Sequence, residues 1–379
     1  MRTPTLRNGA VSAVLATLRV TLRLLERVVP QSRSVVVTAY PETEGNGVEV
    51  ARALVDRYAG RVVWLRDGGP VPPEIQALAA RGLVLAPKAS ARGLWAYLRA
   101  EAVLFTHGLY GSPRLRKPVV NLWHGDGPKG IAPSKDAGRL IESTYFVGST
   151  PLFSHHQAAT FGVPADRVLL TGNPRTDQLW RDVEPDRLAA LGITADFVVW
   201  MPTFRTARAV GAMRAGGPVS PDRAGLAELA AGLRAQGRQL VVKPHPMDAD
   251  RRDWPGAVTV DETALAAAGV TLYELLGASS GLVTDYSSVW VDYLLTDRPI
   301  AFLVPDRDTY DRALHPADVL DWAPGEVVDL DREPFARFLA DADAGRRREV
   351  AARIGLNLSA TSADDLVTAL VKLGVLGSA

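Results

Sequence analysis

Twelve short hydrophobic runs, many of them continuous in Val, Leu and Ile and not alternating, constrain this chain more than any other feature. They fall at 34–38, 61–65, 83–85, 102–106, 118–122, 144–148, 168–171, 197–201, 239–243, 258–260, 281–284 and 300–303. A strand wetted on one face alternates apolar and polar residues, whereas a strand covered on both faces need not. The runs therefore predict buried parallel strands. Helical patterns at 47–58, 73–80, 224–236 and 272–277 lie between them. Such alternation predicts an α/β protein with doubly wound sheets. At 379 residues and 47% hydrophobic, the chain is too long for one ordinary core and too apolar to be disordered. Two domains are expected, 31–185 and 186–379, with the boundary near 182–191. Residues 204–222 hold Arg205, Arg208 and Arg214 with several Gly and Pro and no apolar period, which predicts a mobile loop. The last helical region, 331–376, is expected to cross back to the first domain.

Charge and composition exclude several classes. A formal net charge of +1 does not suit a strongly basic nucleic-acid binder. The absence of cysteine excludes disulfides, Cys-ligated zinc, iron–sulfur clusters and thiol nucleophiles. No apolar stretch reaches the roughly 18 to 20 residues that span a bilayer. Over 11–29, however, Leu15, Leu18, Leu22, Leu25 and Val29 recur at helical spacing, with Arg19, Arg23, Glu26 and Arg27 on the other side. Six arginines against one acid in the first 35 residues make residues 1–30 an amphipathic N-terminal helix. It suits either an anionic membrane surface or packing on the first domain. Arginines interrupting the apolar run argue against a secretory signal. There is no phosphate-binding P-loop, no nucleophile elbow, and no dinucleotide fingerprint after the first strand. Asp248 and Asp250 sit in a charged turn beside Arg251 and Arg252, so no metal is expected there.

Chemistry concentrates where hydrophobic runs end. At 281–292 a strand stops at Asp285, and Ser287 and Ser288 occupy the N-cap and first turn of a helix over 289–295. Backbone N–H groups, two hydroxyls and a helix N-terminus together suit an anion, which predicts a phosphate site. His124 follows another run inside a Gly-rich turn, where its imidazole can accept a proton near neutral pH. His245, between Pro244 and Pro246, and Lys243 follow a third run; there they can bind phosphates and offset charge on a leaving group. Arg175 and Arg205 end two further runs, and guanidinium groups match phosphate oxygens bidentately. Asp292 suits a hydroxyl better than a phosphate, because two anions repel.

Five ordered segments carry a family resemblance. They are Trp123-His124-Gly125 with Lys129, Gly172-Asn173-Pro174-Arg175-Thr176-Asp177, Pro202-Thr203-Phe204-Arg205, Lys243-Pro244-His245-Pro246, and Thr284-Asp285-Tyr286-Ser287-Ser288 with Asp292. Together they resemble the CDP-glycerol glycerophosphotransferase family, the primases and polymerases of teichoic-acid synthesis, over roughly residues 100–305. The resemblance implies a GT-B-like fold with a cleft between the two domains, the first acting on the acceptor and the second binding the donor. It implies a CDP-alditol donor and transfer of glycerol or ribitol phosphate to a hydroxyl of a lipid-linked polyprenyl or polymer acceptor, with release of CMP. No cofactor, metal or nucleic-acid partner is implied, and the place of work is the cytoplasmic face of the cell membrane, held peripherally. By the same resemblance His124 is the base, His245 the second catalytic residue, and Gly125, Asp126, Gly127, Pro128, Lys129, Arg175, Pro202, Thr203, Arg205, Lys243, Ser287, Ser288 and Asp292 bind substrate. Asp126 departs from the family threonine, and Ser280 stands where the family often has Asp. The chain's length is expected to leave no room for a long membrane-targeting or second catalytic domain. A GT-B glycosyltransferase or epimerase using a UDP-sugar, or a catalytically silent nucleotide-binding or scaffold protein, are the other readings.

Overall fold

The computed structural model describes residues 5–110, 115–130, 142–202, 207–209, 212–214, 223–244, 254, 256–305, 307 and 313–377, with only the backbone for 5–15, 207–209, 212–214 and 223–224. The chain forms two compact units. The first comprises 1–125, 131–177 and 357–379, and the second 126–130 and 178–356. This division differs from a single boundary near 185: a five-residue turn and the C-terminal segment each belong to the unit that linear order would not assign them.

The first unit is built on seven parallel strands: β1 (Ser34–Thr38), β2 (Arg61–Arg66), β3 (Val84–Pro87), β4 (Ala102–Phe105), β5 (Val119–Asn121), β6 (Tyr145–Val147) and β7 (Val168–Leu169). Their order is β3-β2-β1-β4-β5-β6-β7. Helix α1 (Thr5–Val28) precedes them, and between them run α2 (Gly45–Arg57), α3 (Pro73–Ala80), α4 (Ala91–Arg99) and α5 (Pro151–Thr160). Side chains alternate across a strand, so Val35 and Val37 join one core with Leu54 of α2, while Val36 joins another with Leu22 of α1 and Leu98 of α4. Both faces are covered, which is why β1 reads as unbroken valine.

Helix α1 is held by its own apolar stripe. Leu22 is 1% exposed, and Leu18, Leu25 and Val29 pack around it against the first sheet. Glu26, assigned to the polar side from sequence, is buried instead; its carboxylate accepts the N–H groups of Arg116 and Lys117 at 2.8 and 2.9 Å. The Lys117 ammonium in turn donates to the carbonyls of Tyr97 and Leu98, both at 2.7 Å, and burial lowers its pKa to about 8. No described helix is long and apolar enough to cross a membrane.

The second unit carries β8 (Phe197–Trp200), β9 (Ala207–Ala209), β10 (Ala212–Arg214), β11 (Gln239–Val242), β12 (Ala257–Thr259), β13 (Gly281–Thr284), β14 (Ile300–Phe302) and β15 (Glu326–Val327). Six of them form a parallel sheet in the order β12-β11-β8-β13-β14-β15. Strands β9 and β10 form a separate antiparallel pair inside the stretch expected to be loop. The helices are α6 (Pro185–Ala190), α7 (Arg223–Ala235), α8 (Glu262–Ala268), α9 (Leu272–Ala278), α10 (Val289–Tyr293), α11 (Ala336–Leu339) and α12 (Ala344–Ile354). Helix α9 begins with a capping box between Thr271 and Glu274.

After α12 the chain returns to the first unit as α13 (Ser362–Lys372), whose Leu366, Val367 and Leu370 are buried against the α2 side of that core. Its N-terminus is capped from a distance: the Asp177 carboxylate accepts the N–H groups of Ser362 and Ala363 at 2.7 and 3.0 Å. A carboxylate there also complements the positive end of the helix.

Candidate functional site

Both sheets carry their reactive residues at the C-terminal ends of their strands. In the first, strand order reverses between β1 and β4, where doubly wound sheets form their ligand crevice. Tyr40 follows β1, and its N–H donates to the hydroxyl of Thr106, just beyond β4, at 3.1 Å. His107 comes next, and one strand further out β5 leads into Trp123 and His124.

The backbone turns sharply there. Trp123 has φ +50° and Gly125 φ +121°. A bulky residue in the left-handed region costs on the order of 1 kcal/mol and persists only where its surroundings hold it. Asn121 and Asn46 do so. The Asn121 side-chain oxygen accepts the Trp123 N–H at 3.0 Å, and the buried Asn46 amide donates to the carbonyls of Leu122 and Trp123 at 3.4 and 3.2 Å. His124 is thereby laid parallel to His107, ring centroids 4.6 Å apart with 7° between planes, and the Trp123 ring lies 3.8 Å away.

Arg175 completes this arrangement. Its guanidinium donates to the His124 carbonyl at 2.7 Å and lies 3.8 Å from the Glu44 carboxylate, while its backbone N–H donates to the Asn46 side-chain oxygen at 3.0 Å. The structure thus places Arg175 beneath His124, with Glu44 offsetting its charge. The remainder of its motif is structural: a Cβ on Gly172 would meet the Ser362 hydroxyl at 2.2 Å, and Asp177 caps α13.

Sequence reasoning missed His107, Asn46 and Glu44. His107 had a signal, since it ends an apolar run and precedes a glycine just as His124 does. Burial, and secondarily Lys88, hold its imidazole below the ordinary histidine range. Asn46 and Glu44 had none, because their role depends on where α2 starts in space.

In the second sheet, order reverses between β8 and β13. The Met201 N–H donates to the Val283 carbonyl at 2.8 Å, and the Thr284 hydroxyl returns a bond to the Met201 carbonyl at 3.0 Å. These bonds set Pro202 beside the segment Asp285-Tyr286-Ser287-Ser288. Asp285 and Tyr286 are buried, whereas Ser287 and Ser288 remain partly exposed. Ser288 occupies the N-cap position, yet its side chain makes no capping bond. Helix α10 runs only five residues before passing into a 3-10 turn, shorter than the helix expected over 289–295. Its macrodipole is correspondingly small, leaving N–H groups and hydroxyls as the means of holding an anion.

The turn 126–130 packs directly on this segment. A Cβ on Gly127 would lie 2.5 Å from Ser288 Cβ, so the contact is close enough to demand glycine. Pro128 accepts the His315 N–H at 2.7 Å, the Gly130 N–H donates to Ala313 at 2.8 Å, and Lys129 bridges to Leu314. Asp126 is buried in this unit, and the chain passes between the units at Gly125–Asp126.

Asp292 is buried and accepts the Tyr273 hydroxyl at 2.5 Å. Lys243, at the end of β11, is buried; its ammonium is 2.5 Å from Glu262. Ser280 lies before β13, at the sheet's other edge, bonded to Arg238 and the Phe197 carbonyl. Thr203, Arg205 and His245 lie outside the described residues.

Comparison with known proteins extends this geometry. The sequence profile of a family described as CDP-Glycerol:Poly(glycerophosphate) glycerophosphotransferase matches residues 41–357. A teichoic acid ribitol-phosphate primase of Bacillus spizizenii is 27% identical over 225 residues, 53% of this chain and 55% of the primase. The chain thus matches about half the length of this curated relative. The wall teichoic acid polymerase TagF shares the fold, with a TM-score of 0.69 at 16% identity over 98% of this chain and 96% of that one. A further TagF structure was determined with a soak in CDPG. A UDP-GlcNAc 2-epimerase from Neisseria meningitidis, bound to UDP-GlcNAc, matches at a TM-score of 0.53 and 12% identity over 90% of this chain and 100% of that one. At these identities the structural likeness is one of fold, and the two parallel sheets belong to the GT-B-like class. With the profile covering most of its length, the chain belongs to the CDP-glycerol:poly(glycerophosphate) glycerophosphotransferase family.

Proposed function

We propose that this protein transfers an alditol phosphate, glycerol or ribitol phosphate, from a CDP-alditol to a hydroxyl of a lipid-linked polyprenyl or polymer acceptor, releasing CMP in teichoic-acid or related surface-polymer synthesis. Family membership supports the reaction class. The observation that carries the assignment of roles is the stacking of His124 on His107 at the C-terminal edge of the first sheet. Two stacked imidazolium ions would repel, and burial keeps the His107 ring neutral to lower pH than an ordinary histidine. His124 is then the ring that takes the proton.

In this reading the acceptor hydroxyl loses its proton to the His124 imidazole as its oxygen attacks the β-phosphorus of the donor. The bond from that phosphorus to the anhydride oxygen breaks, and CMP departs with the electron pair. Ser287, Ser288 and the N–H groups around them hold the diphosphate, with Pro202 and the 126–130 turn alongside. Thr203, Arg205, Lys243 and His245 complete the donor contacts, His245 offsetting charge on CMP. Lys243 reaches a phosphate by exchanging its bond to Glu262. Asp292, buried with Tyr273, sets the floor of the alditol pocket. The place of work is the cytoplasmic membrane face, with the exposed side of α1 toward the surface.

CMP release from CDP-glycerol and CDP-ribitol, measured with a lipid-linked acceptor analogue, tests this directly. CMP from one donor, reduced about 10²–10⁴-fold in His124→Ala, is the expected result for loss of a general base. Release of UMP or UDP from sugar nucleotides, with none of CMP, would replace the proposal with a UDP-sugar glycosyltransferase. Full activity in His124→Ala would remove the assigned base.

A further inference from the structure

The first unit has an open cavity of about 330 Å³ away from His124. It lies at the N-terminal ends of β1 and β2, whereas His107 and His124 follow the C-terminal ends of β4 and β5. Four arginines line it, Arg33, Arg61, Arg92 and Arg99, with Ser32, Ser34 and Trp95, and no acidic residue lines it. Arg92, Trp95 and Arg99 fall on one face of α4, at the i, i+3 and i+7 positions. The Arg99 guanidinium lies 5.6 Å from the Trp95 ring, and its buried Nε has no hydrogen-bond partner among the described residues. Arg61 and Arg92 make no ion pair among the described residues.

The cavity opens beside the end of α1. On that helix Leu18, Leu22, Leu25 and Val29 are committed to the core, leaving a second apolar stripe outward: Val20, Leu24 and Val28 are 55%, 56% and 76% exposed. Exposed Arg23 and Arg27 flank it. The chain leaves Val28 and reaches Ser32, a cavity-lining residue whose N–H donates to the Arg99 carbonyl at 2.8 Å. An apolar stripe edged by arginines suits the plane of a membrane interface, and an indole half in water suits the same depth.

We propose that this cavity binds the phosphate-bearing headgroup of an anionic membrane lipid while Val20, Leu24 and Val28 enter the interface. The guanidinium groups meet the phosphate in bidentate fashion, the Ser32 and Ser34 hydroxyls meet headgroup oxygens, and Trp95 covers the glyceride end. The inference deepens the membrane placement proposed above and rests on it, but is independent of the chemistry at His124.

The test is co-sedimentation of the full chain with phosphatidylcholine vesicles with and without phosphatidylglycerol. It compares wild type, Arg61→Gln/Arg92→Gln, Trp95→Ala and Leu24→Ser/Val28→Ser, and measures CMP release with a soluble acceptor on each. Wild type binds only the anionic vesicles. The double arginine variant binds them about thirtyfold more weakly, Trp95→Ala also loses binding although it keeps every charge, and neither variant changes CMP release. Undiminished binding by both the double arginine variant and Trp95→Ala, with loss in Leu24→Ser/Val28→Ser, overturns the headgroup site and leaves the membrane placement standing. No vesicle binding by wild type overturns both. Thermal stabilisation by inorganic phosphate that needs Arg61 and Arg92, without vesicle binding, replaces the lipid with a soluble phosphate compound.

Discussion

At the scale of single residues, the second-unit site depends on a missing side chain. Any Cβ at Gly127 falls 2.5 Å from Ser288 Cβ, so Gly127→Ala pushes the 126–130 turn off the Ser287-Ser288 segment. Overpacking of this kind costs about 1–3 kcal/mol. The expected outcome is a raised KM for the CDP-alditol with modest loss of stability; an unchanged KM would show that the turn does not shape the donor site. His107 supplies a pH signature. Its folded pKa lies below its unfolded one, so as pH falls through about 6.5 the unfolded chain takes up the proton first. Its contribution to stability is therefore full above that pH and is lost as pH drops toward the folded pKa. In His107→Phe the urea midpoint declines less between neutral and mildly acid pH than in wild type. Equal declines would mean that the ring is not held neutral.

At the scale of elements, α1 is part of the first unit's core as well as a surface. Leu22→Ala removes a side chain 1% exposed and is expected to cost about 2–5 kcal/mol in denaturant unfolding, whereas Leu24→Ala on the opposite side costs little. For the same reason, deletion of residues 1–30 uncovers the Val36 side of the sheet and is a poor test of membrane binding; point changes on the outward stripe separate the two roles. Helix α13 depends on a carboxylate 185 residues away in the chain. Asp177→Ala leaves the Ser362 and Ala363 N–H groups without that cap, at about 0.5–2 kcal/mol.

At the scale of the whole molecule, the chain crosses between units more than once, which makes linear dissection unsafe. A fragment 1–177 lacks α13, and with it Leu366, Val367 and Leu370 of the first core. That fragment is expected to aggregate or bind a hydrophobic dye, while one joining 1–177 to 357–379 through a flexible linker, with 126–130 retained as a connector, folds more cooperatively by circular dichroism. Equal behaviour of the two would show that α13 is dispensable to the unit.

Much of the fold was legible beforehand, because burial of both sheet faces leaves unbroken apolar runs. All twelve anticipated strands are present as β1–β8 and β11–β14. Strands β9, β10 and β15 were missed, since strands of two or three residues show no period. His124, Ser287 and Ser288 could be singled out because strand ends are where a parallel sheet exposes backbone and side chains to a ligand, and the structure places all three just beyond such ends. Tertiary structure alone decided the rest. It turned Arg175 onto the His124 carbonyl, buried Glu26 under two backbone N–H groups, and brought Asn46 and His107 around the His124 turn. It also spent the apolar stripe of α1 on the core and turned a second stripe outward. Sequence periodicity reports which residues are apolar and at what spacing; which partner covers them, and which charge meets which, depends on contacts made by residues far apart in the chain.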